Sequence, residues 1–137
     1  MDDIITGADI LVAMFHFSNG SGKASSCYSE SDFSDFFYAQ KQKHPSIFSD
    51  INFESRSMEQ RSSELRSSYE LLMRDQTIPP WGIKFNPSDY VPGCDFAFEK
   101  FTRKKLSPQE LNEMKLVASE FWKKFSANSG TIEDKLE

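Results

Sequence analysis

The sequence is short of the residues that bind metals and staple folds. Two cysteines, Cys27 and Cys94, and two histidines, His16 and His44, are all it offers. Two cysteines make at most one bridge, so no disulfide framework holds this chain together. None of the four stands two to four residues from another, the separation that marks a zinc site, so no metal or cofactor is expected. Long hydrophobic runs are missing too. The longest, Ile10 to Phe15, falls far below the roughly 20 apolar residues of a membrane-spanning helix, so no membrane role is expected. Nor is there an excess of basic charge. With 16 Lys and Arg against 21 Asp and Glu the net charge is −5, which argues against general nucleic-acid affinity while leaving room for a local basic face. No apolar leader is evident, and sparse cysteine use fits a reducing compartment, so the cytoplasm is the expected location.

What the sequence does have is aromatic rings: 13 Phe, 4 Tyr and 2 Trp among 137 residues. Each buried ring removes on the order of 150–250 Å² from water. Either aromatics dominate the core, or some rings lie on a surface that pairs with a partner. The length suits one domain, expected over residues 1–125, with a polar tail at 126–137 that should fray.

Hydrophobic periodicity orders the elements. Ser107 can cap a helix that Pro108 opens, and Glu110 can reach back to complete a capping box. Leu111, Met114, Val117, Ala118, Phe121, Trp122 and Phe125 then recur at helical spacing. A second helix is expected from about Ser57 to Asp75, with Ser57 and Gln60 as its capping pair and Met58, Leu65, Tyr69, Leu72 and Met73 as its apolar stripe. A third runs from Asp32 to Lys43, carrying Phe33, Phe36, Phe37 and Gln40 on adjoining turns and ending before His44-Pro45. Ile4 to Phe17 fits a helix capped by Thr6 and Asp9, although Ile10 to Phe15 alone also reads as a buried strand. Between the two longest helices, Trp81 to Phe101 has strand character. Tyr90-Val91 and Phe96-Ala97-Phe98 flank Pro92-Gly93, a turn signal, and Phe96 and Phe98 would share one face. The expected fold class is therefore mainly α (α+β): three helices, a short β-hairpin and a C-terminal helix.

No stretch carries recognisable catalytic chemistry. Ser18-Asn19-Gly20-Ser21-Gly22-Lys23 resembles the tail of a phosphate-binding loop, but Phe17 stands where the leading glycine belongs and Ala24 where a hydroxyl would hold magnesium. It reads better as a Gly/Ser connection between helices. No glycine elbow flanks a serine, and no catalytic residue is assigned. The expectation is a protein that is not an enzyme.

One helix face invites a functional reading. Arg56, Arg61, Arg66 and Arg74 accompany serines along the Ser57 helix, and Arg103, Lys104 and Lys105 cluster beyond the hairpin. Arginines and hydroxyls on one side suit phosphate contact, yet Glu59, Glu64 and Glu70 interleave with them and can neutralise them at helical spacing.

Phe36-Phe37-Tyr38, Ser63-Glu64-Leu65 with Leu71-Leu72, and Ser107 to Trp122 fall in an order that resembles a winged helix, with Trp81 to Phe101 as the wing. From Phe33 to about Phe125 the chain is similar in outline to small winged-helix proteins of mobile genetic elements, including the SocA-like (Panacea) antitoxin group. That resemblance implies a regulatory or antitoxin-like role and carries no site residue across. The chain departs from it in one respect. A helix-turn-helix joins its helices through about 3–4 residues, and His44 to Arg56 is a far longer connection. The functional expectation is a non-enzymatic interaction or regulatory accessory protein that meets another protein or a second copy of itself. The alternative is a winged-helix DNA-binding regulator or antitoxin acting through the seven basic residues above.

Overall fold

The computed structural model describes residues 4–18, 26–56 and 59–125, with the side chains of 55–61 outside the description. The Ser18–Lys23 connection beyond Ser18, the Ser57 start of the expected helix and the polar tail lie outside the described residues.

Helix α1 (Gly7–His16) runs through the middle of the molecule. Thr6 Oγ1 accepts from the Asp9 N–H while Asp9 accepts from the Thr6 N–H, the expected capping box, and the helical reading of this segment holds over the strand. Gly7 and Asp9 to Phe15 are all buried, which explains the apolar run: this helix is enclosed rather than amphipathic. It packs against α3 (Ser63–Arg74), α4 (Val91–Ala97) and α5 (Pro108–Phe125). Gly7 permits the approach to α3, since a Cβ there would sit 2.8 Å from Ser68 Oγ. At the other end of α1, the Met14 carbonyl would lack an intrahelical donor. The Trp122 indole N–H supplies one at 2.8 Å.

Helix α2 (Glu30–Lys43) starts two residues earlier than the sequence suggested. Ser29 and Asp32 form its capping box, so Asp32 closes the cap rather than opening the helix. Helix α5 begins as expected, with Ser107 accepting from the Glu110 N–H and Glu110 from the Ser107 N–H.

Two expectations are overturned. The helix expected from Ser57 begins only at Ser63. Glu59–Arg61 (β2) pairs antiparallel with Glu54–Arg56 (β1), and Ser62 is the first residue placed to cap, its Oγ accepting from the Leu65 N–H at 3.2 Å. The helix thereby loses a turn to a three-residue ladder that the periodicity did not reveal.

The second correction is larger. Trp81 to Phe101 forms no hairpin and no wing. Phe85 makes a single bridge with Ser26, after which the chain turns helical. Asn86 accepts from the Ser88 N–H, a short 3₁₀ turn follows at Pro87–Asp89, and α4 leads directly into a π-helical turn over Phe98–Thr102. Pro92 sits in the first turn of α4, where its missing N–H is not needed, and Gly93 faces open space. Pro92-Gly93 is thus a helix start rather than a turn. Phe98 is buried and Phe96 is exposed, so the two do not share a face. Among the described residues the only ladder is β1–β2, between α2 and α3. The molecule is mainly helical and is not a winged helix.

The aromatic surplus goes mostly inward. Phe15, Phe33, Phe37, Phe98, Phe121, Tyr28, Tyr69 and Trp122 are all buried. Edge-to-face contacts connect them, among them Phe15 with Trp122 at 5.0 Å and Tyr28 with Phe121 at 5.1 Å. The Tyr69 hydroxyl donates to the Pro79 carbonyl at 2.7 Å and meets the Tyr28 hydroxyl at 2.9 Å, so both buried phenols are satisfied. Among the described residues no helix is long and apolar enough to cross a membrane.

Candidate functional site

The exposed side of the α4–π junction is the most unusual surface. A π turn closes its hydrogen bonds five residues apart, and here the Arg103 N–H reaches the Phe98 carbonyl. In an unbroken α-helix, residues five apart point about 140° away from each other. The wider turn brings Phe96 and Phe101 toward one side. Phe96 is 65% exposed and Phe101 52%, and the Lys100 ammonium lies 5.4 Å from one ring and 5.6 Å from the other. Insertions of this kind are frequent where a helix does something besides pack.

The inner side of the same turn is rigidly held. Phe98 lies parallel to the His16 imidazole at 3.9 Å, with the Arg103 guanidinium 5.0 Å from the Phe98 ring. His16 Nδ1 is 2.6 Å from Asp95 Oδ1, which fastens α4 to the end of α1. Two hydrogen bonds tie Arg103 to Glu99, Nε to Oε1 at 2.9 Å and Nη2 to Oε2 at 2.8 Å. That fork holds the Glu99 carboxyl below its usual range. One turn later, Thr102 Oγ1 donates to Asp9 Oδ1 and Lys105 Nζ to Asp9 Oδ2, each at 2.8 Å.

The seven basic residues expected to contact nucleic acid are spread over β1, β2, α3 and the turn that follows the π turn. Arg56 and Arg61 fall on β1 and β2. Arg66 is on α3 with its Nε 3.2 Å from Glu30 and 3.4 Å from Glu70, so glutamates neutralise it much as the spacing suggested. Arg103 is committed to Glu99 and Lys105 to Asp9. Arg74, in the last turn of α3, and Lys104 are exposed.

The two cysteines are free thiols, Cys27 exposed and Cys94 buried. Burial, and then the charge of neighbouring Asp95, pushes the Cys94 thiol up to about 12, so at neutral pH it stays protonated. Titration of the native protein with a disulfide reagent should therefore show one fast thiol, with the second appearing only on denaturation. Two fast thiols would mean that α4 opens readily. Among the described residues no three His, Cys, Asp or Glu side chains group to hold a metal ion.

A concavity of about 370 Å³ lies elsewhere, along the seam between α2 and α5. The helices run antiparallel, as their contacts show: Phe36 meets Phe121 and Phe125, Gln40 and Lys43 meet Glu120, and His44 meets Glu113. Ala39 is too short to fill the seam between Phe36 and Lys43, and the gap opens there. Glu120 accepts from Gln40 Nε2 at 3.0 Å and from Lys43 Nζ at 3.1 Å, and these bonds hold its carboxyl below the usual range.

Sequence reasoning missed both surfaces. The first had a usable signal: Cys94, Phe98 and Thr102, all buried, recur four residues apart, a helical period hidden by the Phe-Ala-Phe alternation. The second had none, because it depends on which residue of α5 falls opposite Ala39. No protein-family model, no curated protein and no solved structure matches this chain.

Proposed function

We propose that this chain is a non-enzymatic interaction module that docks a partner protein on the Phe96–Lys100–Phe101 face. One observation carries the reading: two phenylalanines, each more than half exposed, stand together on a helical element that buried stacking holds still. Aromatic anchors on a rigid support lose little conformational freedom when they are covered, which is how a few residues come to dominate an interface. The charges beside them specify the partner. Glu99 neutralises Arg103, and Lys105 serves Asp9, so Lys100 and Lys104 remain to meet a ligand. A partner surface that combines acidic residues with an apolar pocket complements this face.

The nucleic-acid reading has less to support it. Of the cations it relies on, Arg66, Arg103 and Lys105 already hold carboxylates. A phosphate backbone would have to displace those contacts.

Both phenylalanines are exposed, so Phe96→Ser with Phe101→Ser should leave stability within about 0.5 kcal/mol per site. Immobilised wild-type protein, this double variant and the exposed control Leu71→Ser are compared in quantitative capture from the native cell extract. At least one acidic protein should be retained by wild type and Leu71→Ser, released by salt, and depleted roughly thirtyfold or more on the double variant. Identical capture profiles would reject the docking face. A wild-type dimer that the double variant dissolves, seen by light scattering, would replace the foreign partner with a second copy.

A further inference from the structure

The Phe96–Lys100–Phe101 face has a chemical complement within the chain itself. Beyond α5 the sequence runs through small and polar residues, Ser126 to Thr131, and then reads Ile132-Glu133-Asp134-Lys135-Leu136-Glu137. Ile132 and Leu136 stand four residues apart, the spacing that puts two side chains on one side of a helical turn. Glu133 and Glu137 follow each of them directly, and three acids against one base make this end of the chain acidic. The face offers the opposite pattern. Two exposed rings flank the Lys100 ammonium, and Lys104 is exposed with no ion pair among the described residues.

The two lie within reach of each other. From Phe125, the last residue of α5, ring contacts of 5.6, 5.7 and 5.9 Å lead through Tyr28 and Phe85 to Tyr90, which precedes α4. Phe96 lies six residues further on, about 9 Å along a helix. An extended chain advances about 3.3–3.6 Å per residue, so Ile132 can travel about 23–25 Å from Phe125 and Leu136 about 36–40 Å. A segment tethered this closely meets the face at an effective concentration on the order of millimolar. That half-fills a site even when the free peptide binds it at only about 1 mM.

We propose that residues 131–137 fold back on the Phe96–Lys100–Phe101 face and occupy it as a partner would. Ile132 and Leu136 lie against the two rings, and Glu133 and Glu137 turn toward Lys100 and Lys104. The tail then regulates docking, because an incoming partner must displace it. The inference rests on the reading of that face as a docking surface and assigns its resting occupant.

A nitroxide on the tail tests this in the full chain, with Cys27→Ser removing the exposed thiol and Gly130→Cys supplying the attachment point. In isotope-labelled protein the amide signals of residues 96–104 should lose about half their intensity or more, and reducing the nitroxide should restore them. Ile132→Ser with Leu136→Ser, Phe96→Ser with Phe101→Ser, and about 0.5 M salt should each recover most of that loss. In the extract capture, the tail double variant should retain about twofold more acidic partner than wild type, since its face is no longer half-filled. A loss that neither double variant relieves would overturn the fold-back. An equal loss between nitroxide-bearing and isotope-labelled chains that are merely mixed would assign the contact to a second copy and overturn it too. No loss, with capture still dependent on Phe96 and Phe101, would overturn this inference and leave the docking face standing. A tail contact with no partner captured would uphold the inference and reject the foreign partner.

Discussion

Trp122→Ala should cost about 3–5 kcal/mol, a large fraction of the roughly 5–15 kcal/mol that holds a domain of this kind together. The side chain is 2% exposed and meets Phe15 and Phe121 rings edge-on at 5.0 and 4.9 Å. Truncation would open a cavity against α1, the helix on which α3, α4 and α5 all pack. It would also remove the only donor to the Met14 carbonyl among the described residues. Trp122→Phe separates the two contributions. It keeps most of the ring contact while leaving that carbonyl without a donor, and should cost about 1–3 kcal/mol. Urea unfolding followed by circular dichroism measures both, and Trp81 remains as a fluorescence reporter in either variant. A melting temperature about 10–20 °C lower is expected for the alanine variant. If Trp122→Phe matched wild type, the indole hydrogen bond would contribute nothing and packing would account for the whole effect.

The elements legible in the sequence were those whose signals are local. Thr6 with Asp9 and Ser107 with Glu110 each pair within three residues, and both caps form where they were expected. The apolar stripe of α5 likewise needs only its own periodicity. The errors arose where a local signal had two physical meanings. Pro92-Gly93 suits a turn and equally the first turn of a helix, and the deciding factor was that Cys94, Phe98 and Thr102 all had to face α1 and its neighbours. Ser57 and Ser62 are both competent caps. The choice fell to Ser62 because β2 pairs with β1 and also lies against α2, a non-local contact invisible in the sequence.

The candidate sites divide along the same line. For the arginines of the Ser57–Asp75 stretch, spacing exposes a partner on the same helix, such as Glu70 for Arg66, but not a pairing across elements. Glu30, which meets Arg66, comes from α2, 36 positions away by number (66 − 30). Phe96 and Phe101 looked like strand residues because only a π turn turns both outward, and nothing in their spacing announces one. The aromatic count left two alternatives, a core dominated by rings or rings on a pairing surface; most of the rings go inward, while Tyr38, Phe96 and Phe101 are exposed.

Asp9 should matter nearly as much as Trp122, and its effect should depend on pH. Its carboxylate is buried and accepts from the Thr6 N–H, Thr102 Oγ1 and Lys105 Nζ, so one side chain caps α1 and ties it to the π turn. Asp9→Ala leaves a buried threonine hydroxyl and a mostly buried ammonium without their partner and removes the cap, which together should cost about 3–5 kcal/mol. Burial by itself would raise the Asp9 pKa. The hydrogen bonds from Lys105, Thr6 and Thr102, with the Lys105 charge, outweigh it, so the folded carboxyl titrates below the ordinary value of 3.8. The sign follows from linkage: a depressed folded pKa means a contribution fully present above the unfolded pKa and lost as pH falls through the folded one. Wild-type stability should thus fall on acidification below about pH 4. Asp9→Asn, which cannot ionise, should flatten part of that decline while Glu99 and Glu120 supply the remainder, since their carboxyls are lowered as well. Urea midpoints taken between about pH 3 and pH 7 make the comparison. An Asn variant with the wild-type acid slope would show that the Lys105 contact, close as it is, does not hold the charged form of Asp9.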